Sequence, residues 1–274
     1  MDRALILIRF LHFGAAMLLW GGAVFGGARS VPPRAGRLWL LLALTAIGWL
    51  MLEAGVAGDG WTDTLDPGTI WALLSATAVG QAWAFHMALV AALGVAIWRG
   101  RGVTLAAGVA LASLALVGHA AMQQGWIGGA HRANAALHLL AAGYWVGALP
   151  PLLGCLARMR QGEATLGPVV MRYSRLGHWA VAAVIVTGVA NTALVLGRVP
   201  GLGSPYQALL VLKIALVAAM VGVALVNRYG FVPRLKAAND PAALRAIARG
   251  TLAEIALGAA VLALVSAFAT FDPV

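Results

Sequence analysis

The sequence predicts an all-α integral membrane protein, a single bundle of eight transmembrane helices with both termini outside, on the periplasmic side. Composition supports this fold class, because 62% of the 274 residues are apolar and only 10% are charged. Soluble domains carry charge on roughly a quarter of their residues, so this chain lacks the polar surface that water requires. Its apolar stretches also approach the roughly 20 residues of helix that cross a bilayer. These observations exclude an ordinary soluble enzyme, a disordered chain and a nucleic-acid-binding domain.

The first half of the chain contains four predicted spans. Span 4–27 is interpreted as a helix and not as a cleavable signal peptide, because it is too long and no small-residue cleavage site follows it. Span 37–54, the shortest, begins after a break at a Pro-Pro pair. Spans 78–98 and 103–121 follow and are separated by a short basic loop.

The second half contains four more predicted spans, 133–156, 178–196, 206–226 and 250–270. Glycine and proline mark the break at 201–205, before the seventh span. The longest polar connections are 55–77, 157–177 and 227–249. Because these connections are too short to fold alone, we predict one transmembrane domain over residues 1–274.

Arginine and lysine residues predict the orientation of the bundle. Of the 19 basic residues, 14 lie in the odd-numbered loops and 4 lie on the other side, while Lys213 lies within a span. Because basic loops remain in the cytoplasm, the odd-numbered loops are predicted to be cytoplasmic. The net charge of +10 is thus an orientation signal, and no nucleic-acid partner is expected. The outer loop 55–77 has no basic residue and carries Asp59, Asp63 and Asp66.

Five of the six histidines fall in the outer half of the predicted membrane, namely His12, His86, His119, His131 and His138. A rise of 1.5 Å per residue puts His12 and His86 roughly 12 Å below the outer surface. His138 follows His131 by two helical turns on the same face. Only His178 lies at the cytoplasmic edge. Because ionisable side chains are costly inside a bilayer and usually mark a pathway or a site, this grouping indicates function.

Imidazole rings from several spans at a common depth favour a metal site. Imidazole nitrogen suits copper, zinc, iron and nickel, and thioether sulfur adds a preference for Cu(I). Met122 follows His119 by three residues and shares its face if the helix extends that far. The predicted ligands are His119, His138, His12, His131, His86 and Met122.

Further polar residues within the spans are expected to support this site. Arg9 and Lys213 fall in the outer third, where a cation needs a carboxylate, a carbonyl or water. Glu53 ends the second span at the right level to meet them, whereas Glu254, near the inner end of the last span, lies too deep. Asn191 is expected to bond another helix or to line the same cavity. The supporting set is Arg9, Glu53, Asn191, Lys213 and Trp145.

Several short motifs together resemble the bacterial copper resistance D (CopD) family. They extend over most of the chain and keep the order and spacing of that family. The segments are Arg9-Phe-Leu-His12, Gly118-His119-Ala120, the helix from His138 through Trp145 and Gly147 to Leu149, Arg172-Tyr-Ser174, Thr187-Gly188 with Asn191, Lys213, and Asn227-Arg228 with Pro233. By this resemblance His12, His119 and His138 correspond to family positions. At residue 86, where the family more often has Arg, this chain has His86.

The resemblance implies a multi-pass protein of the bacterial inner membrane that takes copper from the periplasm and moves it toward the cytoplasm. It also implies a periplasmic copper-binding protein of the CopC type as partner, with the lipid bilayer as surroundings. In that function His119 and His138 would capture copper together with His131 and Met122, and the two deeper histidines would lie on the way inward. The oxidation state of the copper ion stays open.

Other functions remain open on the sequence, among them a site that senses copper or passes it between periplasmic partners. A b-type cytochrome could hold one outer haem b between paired histidines, His12 with His86 or His119 with His138. A membrane scaffold would bind neither metal nor haem. No enzyme is expected, because the sequence has no metalloprotease motif, no phosphate loop and no catalytic triad.

Overall fold

Helices form every regular element in the parts of the chain that the computed structural model describes, residues 1–27, 30–118, 123–163, 167–234 and 240–268. The α-helices are α1 Asp2–Gly26, α2 Ala35–Ala57, α3 Pro67–Ala76, α4 Ala78–Arg99, α5 Val103–Ser113, α6 Gly125–Gly147, α7 Leu149–Arg160, α8 Gly167–Leu196, α9 Pro205–Leu225 and α10 Pro241–Phe268. A 3-10 turn, Leu114–Leu116, continues α5, and a π-helical segment, Val226–Phe231, continues α9. The all-α prediction is confirmed.

Within the described residues, seven helical segments are long and apolar enough to cross a membrane: Asp2–Gly26, Ala35–Ala57, Ala78–Arg99, Gly125–Arg160, Gly167–Leu196, Pro205–Arg234 and Pro241–Ala267. The predicted span 103–121 corresponds to a shorter apolar helix, Val103–Leu116. At 1.5 Å per residue it covers about 21 Å of a core about 30 Å thick. The count of eight spans therefore stays a prediction.

Three helices begin well before the apolar pattern predicts. α6 begins at Gly125 and not at 133, α8 begins at Gly167 and not at 178, and α10 begins at Pro241 and not at 250. All three extensions carry polar residues, among them Arg132, Arg172 and Arg245. An apolar run stops at such residues, whereas backbone hydrogen bonding continues through them. His131 consequently lies within α6 and not in a loop or first turn.

Helix α3 lies within the connection 55–77, for which the sequence analysis predicts no helix. Asp66 caps its N-terminus: the carboxylate accepts from the backbone N–H of Thr69 at 2.6 Å and from the Thr69 hydroxyl at 2.8 Å. These bonds stabilise the ionised form and lower the pKa of Asp66 below its ordinary value. Asp followed by Pro67 was the available signal, since both favour a helix start.

Helix α1 lies at the centre of the bundle, against α2, α5, α6 and α10. Helices α2, α4 and α5 complete a first group around it, and α6 to α10 form a second group. We call the end of the bundle where α1 begins and α10 ends the terminal face. The opposite end, where α2, α5 and α8 begin, is the arginine-rich face.

Helices α8 and α9 leave a cleft between them in the second group. α8 packs against α6 and α7, whereas α9 packs against α10. The floor of the cleft is therefore formed by α6 and α10. Two cavities lie along this cleft, one of about 790 Å³ and one of about 310 Å³.

Candidate functional site

Two predicted ligands, His12 on α1 and His86 on α4, meet inside the first group of helices. Their Nε2 atoms lie 3.0 Å apart, and both side chains are fully buried. The ring centroids lie 5.1 Å apart, so the centroid distance exceeds the distance between the nitrogens by slightly less than two ring radii. The imidazoles therefore point at each other tip to tip, with both Nε2 atoms near the line that joins the ring centres.

A hydroxyl group on a neighbouring helix holds each of these imidazoles. His12 Nδ1 lies 3.0 Å from Thr45 Oγ1 on α2, and His86 Nδ1 lies 2.8 Å from Ser113 Oγ on α5. Each hydroxyl can also donate to a carbonyl of its own helix at 2.8 Å. When it does so, it accepts from Nδ1–H, and the Nε2 of that ring keeps a lone pair. One ring or both can thus present Nε2 to a metal ion.

Tryptophan side chains enclose the pair. The ring of His12 lies 5.6 Å from both Trp49 and Trp83, and that of His86 lies 5.0 Å from Trp83. The indole N–H of Trp83 donates to the carbonyl of Ala46 at 3.1 Å, which holds the ring in place. The indoles keep the two imidazoles away from bulk water.

Glu53 forms an ion pair with Arg9, as the predicted depth of the two residues suggests. Arg9 lies one helical turn from His12, toward the terminal face. Arg9 Nη2 lies 3.2 Å from Glu53 Oε1. Trp49 donates to the same carboxylate oxygen at 2.8 Å, and the guanidinium lies 5.3 Å from a Trp49 ring centre. The carboxylate therefore compensates the charge of Arg9 beside the histidine pair.

Other predicted residues lie along one face of α6 in the second group. His131 Nδ1 lies 3.1 Å from Gln123 Oε1, and His138 Nδ1 lies 2.9 Å from Thr187 Oγ1 on α8. Asn191 on α8 accepts from the Asn134 side chain at 2.8 Å. Of the two alternatives for Asn191, the structure shows a bond to another helix.

His138 and Lys213 line the larger cavity, of about 790 Å³, together with Trp145. Lys213 on α9 therefore lines the cleft in the second group of helices. Glu53, which the sequence suggests as its partner, lies on α2 in the first group. The cavity is lined by α6, α8, α9 and α10, so it belongs to the second group of helices. His138 is thus placed beside a lysine in a cavity within the membrane-spanning part of the chain.

Sequence reasoning sets Glu254 aside, but the structure gives it a central position. Because α10 begins at Pro241, Glu254 lies near the middle of the helix and not at its inner end. Its carboxylate accepts from the indole N–H of Trp145 at 3.0 Å and from the side chain of Asn227 at 3.1 Å. The usable signal was an acidic residue inside an apolar span, which marks a functional position.

The remaining predicted ligands, His119 and Met122, lie outside the described residues. The 3-10 turn after α5 ends at Leu116, short of the predicted end at 121. Among the described residues, no three His, Cys, Asp or Glu side chains come together to hold a metal ion. The structure thus brings together His12 and His86, and places His131 and His138 on α6, in the second group of helices.

Haem does not fit between His12 and His86 in this arrangement. The macrocycle of a haem held between the two nitrogens would occupy the space that Trp49 and Trp83 fill.

Comparison with known proteins finds two matching family sequence models. One, described as copper resistance protein D-like, N-terminal domain, matches residues 1–130, and the other, described as copper resistance protein D, matches residues 167–268. Inner membrane protein YebZ of Escherichia coli (strain K12) is 35% identical over 290 residues, which cover 98% of this chain and 98% of that protein. Copper resistance protein D of Pseudomonas syringae pv. tomato is 31% identical over 293 residues, which cover 96% of this chain and 94% of that protein. No solved structure matches the chain.

Proposed function

We propose, from the premise that the chain belongs to the copper resistance D family of inner-membrane proteins, that it binds copper in the outer half of the membrane and moves it toward the cytoplasm. Copper is its cargo, and the proposed role is transport and not catalysis. The terminal face is then periplasmic and the arginine-rich face cytoplasmic, in accord with the distribution of basic residues. Helix α5, antiparallel to α4 after the short loop 100–102, completes eight crossings.

The tip-to-tip pair of His12 and His86 is the observation that carries this proposal. Two neutral imidazole nitrogens form a ligand pair that suits copper. Separating the rings by about 1 Å admits an ion held by two bonds of about 2.0 Å. When the ring that donates in the pair moves its proton from Nε2 to Nδ1, both rings carry Nδ1–H, and the Thr45 and Ser113 hydroxyls accept from Nδ1–H while donating to their helix carbonyls. Both Nε2 lone pairs are then free with no net loss of a proton.

Capture of copper is assigned to the periplasmic end of the bundle. We assign His119, His131, His138 and Met122 to the group that captures copper. A periplasmic copper-binding protein of the CopC type supplies the copper to this group. The three aspartates of the connection 55–77 attract cations to this end.

Copper binding by purified protein in detergent tests the proposal. Competition with a chromogenic Cu(I) chelator measures affinity, and metal analysis measures content. We expect His12→Ala and His86→Ala each to weaken copper binding by more than about tenfold, because each removes a ligand and even the loss of a ligand's hydrogen-bond partner costs about 10–100-fold. His119→Ala and His138→Ala measure the contribution of the capture group in the same assay.

A matched control is His178→Ala. His178 lies near the arginine-rich face, where its Nδ1 bonds the carbonyl of Ser174 at 2.7 Å. We expect this variant to bind copper as the unmodified chain does. A folded His12→Ala/His86→Ala double variant with unchanged copper affinity would contradict the proposed site, and a strong Soret band in the purified protein would favour haem instead.

A further inference from the structure

A row of polar side chains follows one face of α6 through the second group of helices. His131, His138 and Trp145 recur at intervals of seven residues and so share that face. Trp145 lines both the 790 Å³ cavity, which contains His138, and the 310 Å³ cavity, which contains Glu254. The indole thus lies where the two cavities meet.

Glu254 is a carboxylate inside the membrane-spanning part of the chain with only neutral hydrogen-bond donors. It is 4% exposed, and both of its oxygens are used, Oε2 by Trp145 and Oε1 by Asn227. In the described part of the chain it forms no ion pair. An ionised group at such depth is costly, so carboxylates there are commonly found in proton relays and ion pathways.

The ionisable groups around Glu254 come from three elements. Tyr173 and His178 on α8 and Arg228 in the π-helical segment line the smaller cavity with it, and Tyr144 is contributed by α6. The part of that cavity lining that α7, α9 and α10 supply carries no other titratable side chain. Arg228 donates to Ser174 Oγ, and among the described residues it forms no ion pair with Glu254.

The donor set around Glu254 indicates which cation it takes. Carboxylate, amide and hydroxyl oxygens from Glu254, Asn227, Ser174 and Thr251 line the cavity. The imidazole of His178 also lines it, but both ring nitrogens are occupied, Nδ1 by the Ser174 carbonyl at 2.7 Å and Nε2 by the Tyr229 hydroxyl at 3.1 Å. Soft copper prefers sulfur and imidazole ligands. A carboxylate with oxygen neighbours, by contrast, readily binds a proton.

We propose that Glu254 is a proton-binding site that exchanges a proton with water in the 310 Å³ cavity. The proton is bound at a carboxylate oxygen, and its release returns the carboxylate to its hydrogen bonds with Trp145 and Asn227. This proposal rests on the proposed transport of copper, and it assigns the proton as the ion whose movement is coupled to copper uptake. Trp145, which lines both cavities, positions the Glu254 carboxylate through its indole N–H.

Infrared titration of the full chain in lipid vesicles tests proton binding without copper. We expect the unmodified protein to show a protonated carboxyl band that disappears as the pH is raised, and we expect this band to be missing in Glu254→Gln. The control Glu163→Gln removes an exposed carboxylate that pairs with Arg158, and it should keep the band. An identical spectrum for Glu254→Gln and the unmodified chain would overturn the proposal.

A second variant serves if Glu254→Gln does not fold. Trp145→Phe removes one donor to the ionised carboxylate, so the carboxyl band should persist to higher pH than in the unmodified chain. A band that titrates as before would contradict the assignment of that proton to Glu254.

Coupling is tested by copper uptake into the same vesicles with and without a pH gradient. In the unmodified chain we expect uptake to depend on the gradient. In Glu254→Gln we expect uptake to lose that dependence, while copper affinity at the histidine pair stays unchanged. If the unmodified chain takes up no copper, the proposed transport fails while the infrared result still decides the proton site. Unaltered gradient dependence in Glu254→Gln overturns the coupling alone.

Discussion

At the scale of single residues, the histidine pair depends on groups that are not ligands. Thr45 and Ser113 each offer one hydroxyl proton and two acceptor sites, so they can serve either tautomer of their imidazole. Such partners fix ring orientation and the tautomer available to a metal. The pair can therefore change from a mutual hydrogen bond to two free lone pairs without moving its helices far.

This arrangement predicts the effect of Ser113→Ala. Without the hydroxyl, Nδ1–H of His86 has no acceptor when Nε2 binds copper, so the ligand tautomer is disfavoured. We expect copper affinity to fall roughly 10–100-fold, measured by chelator competition. Ser75→Ala is the control, because the Ser75 hydroxyl bonds only the Trp71 carbonyl on exposed α3. Equal affinities for Ser113→Ala and the unmodified chain would show that the hydroxyl does not orient His86.

At the scale of helices, α1 is positioned by its close approach to α6. A Cβ at Gly21 would lie 2.6 Å from the Gly143 carbonyl oxygen, and one at Gly147 would overlap the Met17 carbonyl. Small residues permit such backbone contact inside membranes. Trp20 adds a hydrogen bond to the carbonyl of Leu140 at 2.8 Å. The same contact joins the two groups of helices and fixes the height of His12.

Gly147→Ala tests this contact. The added methyl group cannot be accommodated by a flexible side chain, because it meets backbone atoms. Overpacking of this kind costs about 1–3 kcal/mol, and we expect that loss in denaturant unfolding in detergent. Gly154→Ala is the matched control, since open space surrounds that position and alanine favours a helix by roughly 0.5–1 kcal/mol. Equal stabilities for the two variants would mean that α1 and α6 are less closely packed.

The helices also show how far sequence reasoning extends. Apolar runs predict where the spans lie, and the helical rise places His12 and His86 at one depth, as the structure has them. Depth does not specify the rotation of a helix about its axis. The sequence therefore predicted that all five outer histidines converge on one metal site, and it did not predict that His12 would pair with His86 alone. Polar residues at helix ends hide the true starts of α6, α8 and α10. That error put Glu254 near the inner end of its span, whereas it lies near the middle of α10, and so kept it out of the predicted site.

At the scale of the whole molecule, the two groups of helices divide the proposed work. The first group holds the histidine pair, and the second holds the cleft with its two cavities. An odd number of crossings would separate the termini, whereas eight crossings keep them on one side. The position of α5 thus decides whether the face near His12 and the face at which α8 ends belong to the same compartment.

Thiol labelling tests this sidedness. Cys155 is the chain's only cysteine and is buried, so the unmodified chain provides a low background. Gly203→Cys introduces an exposed thiol in the loop between α8 and α9, and Gln161→Cys introduces one at the end of α7. A membrane-impermeant maleimide applied to intact spheroplasts should label Gly203→Cys and not Gln161→Cys, while permeabilised cells should label both. Reversed labelling would put the histidine pair in the cytoplasmic half, where it could receive copper only after most of the membrane had been crossed, and periplasmic capture would have to be abandoned.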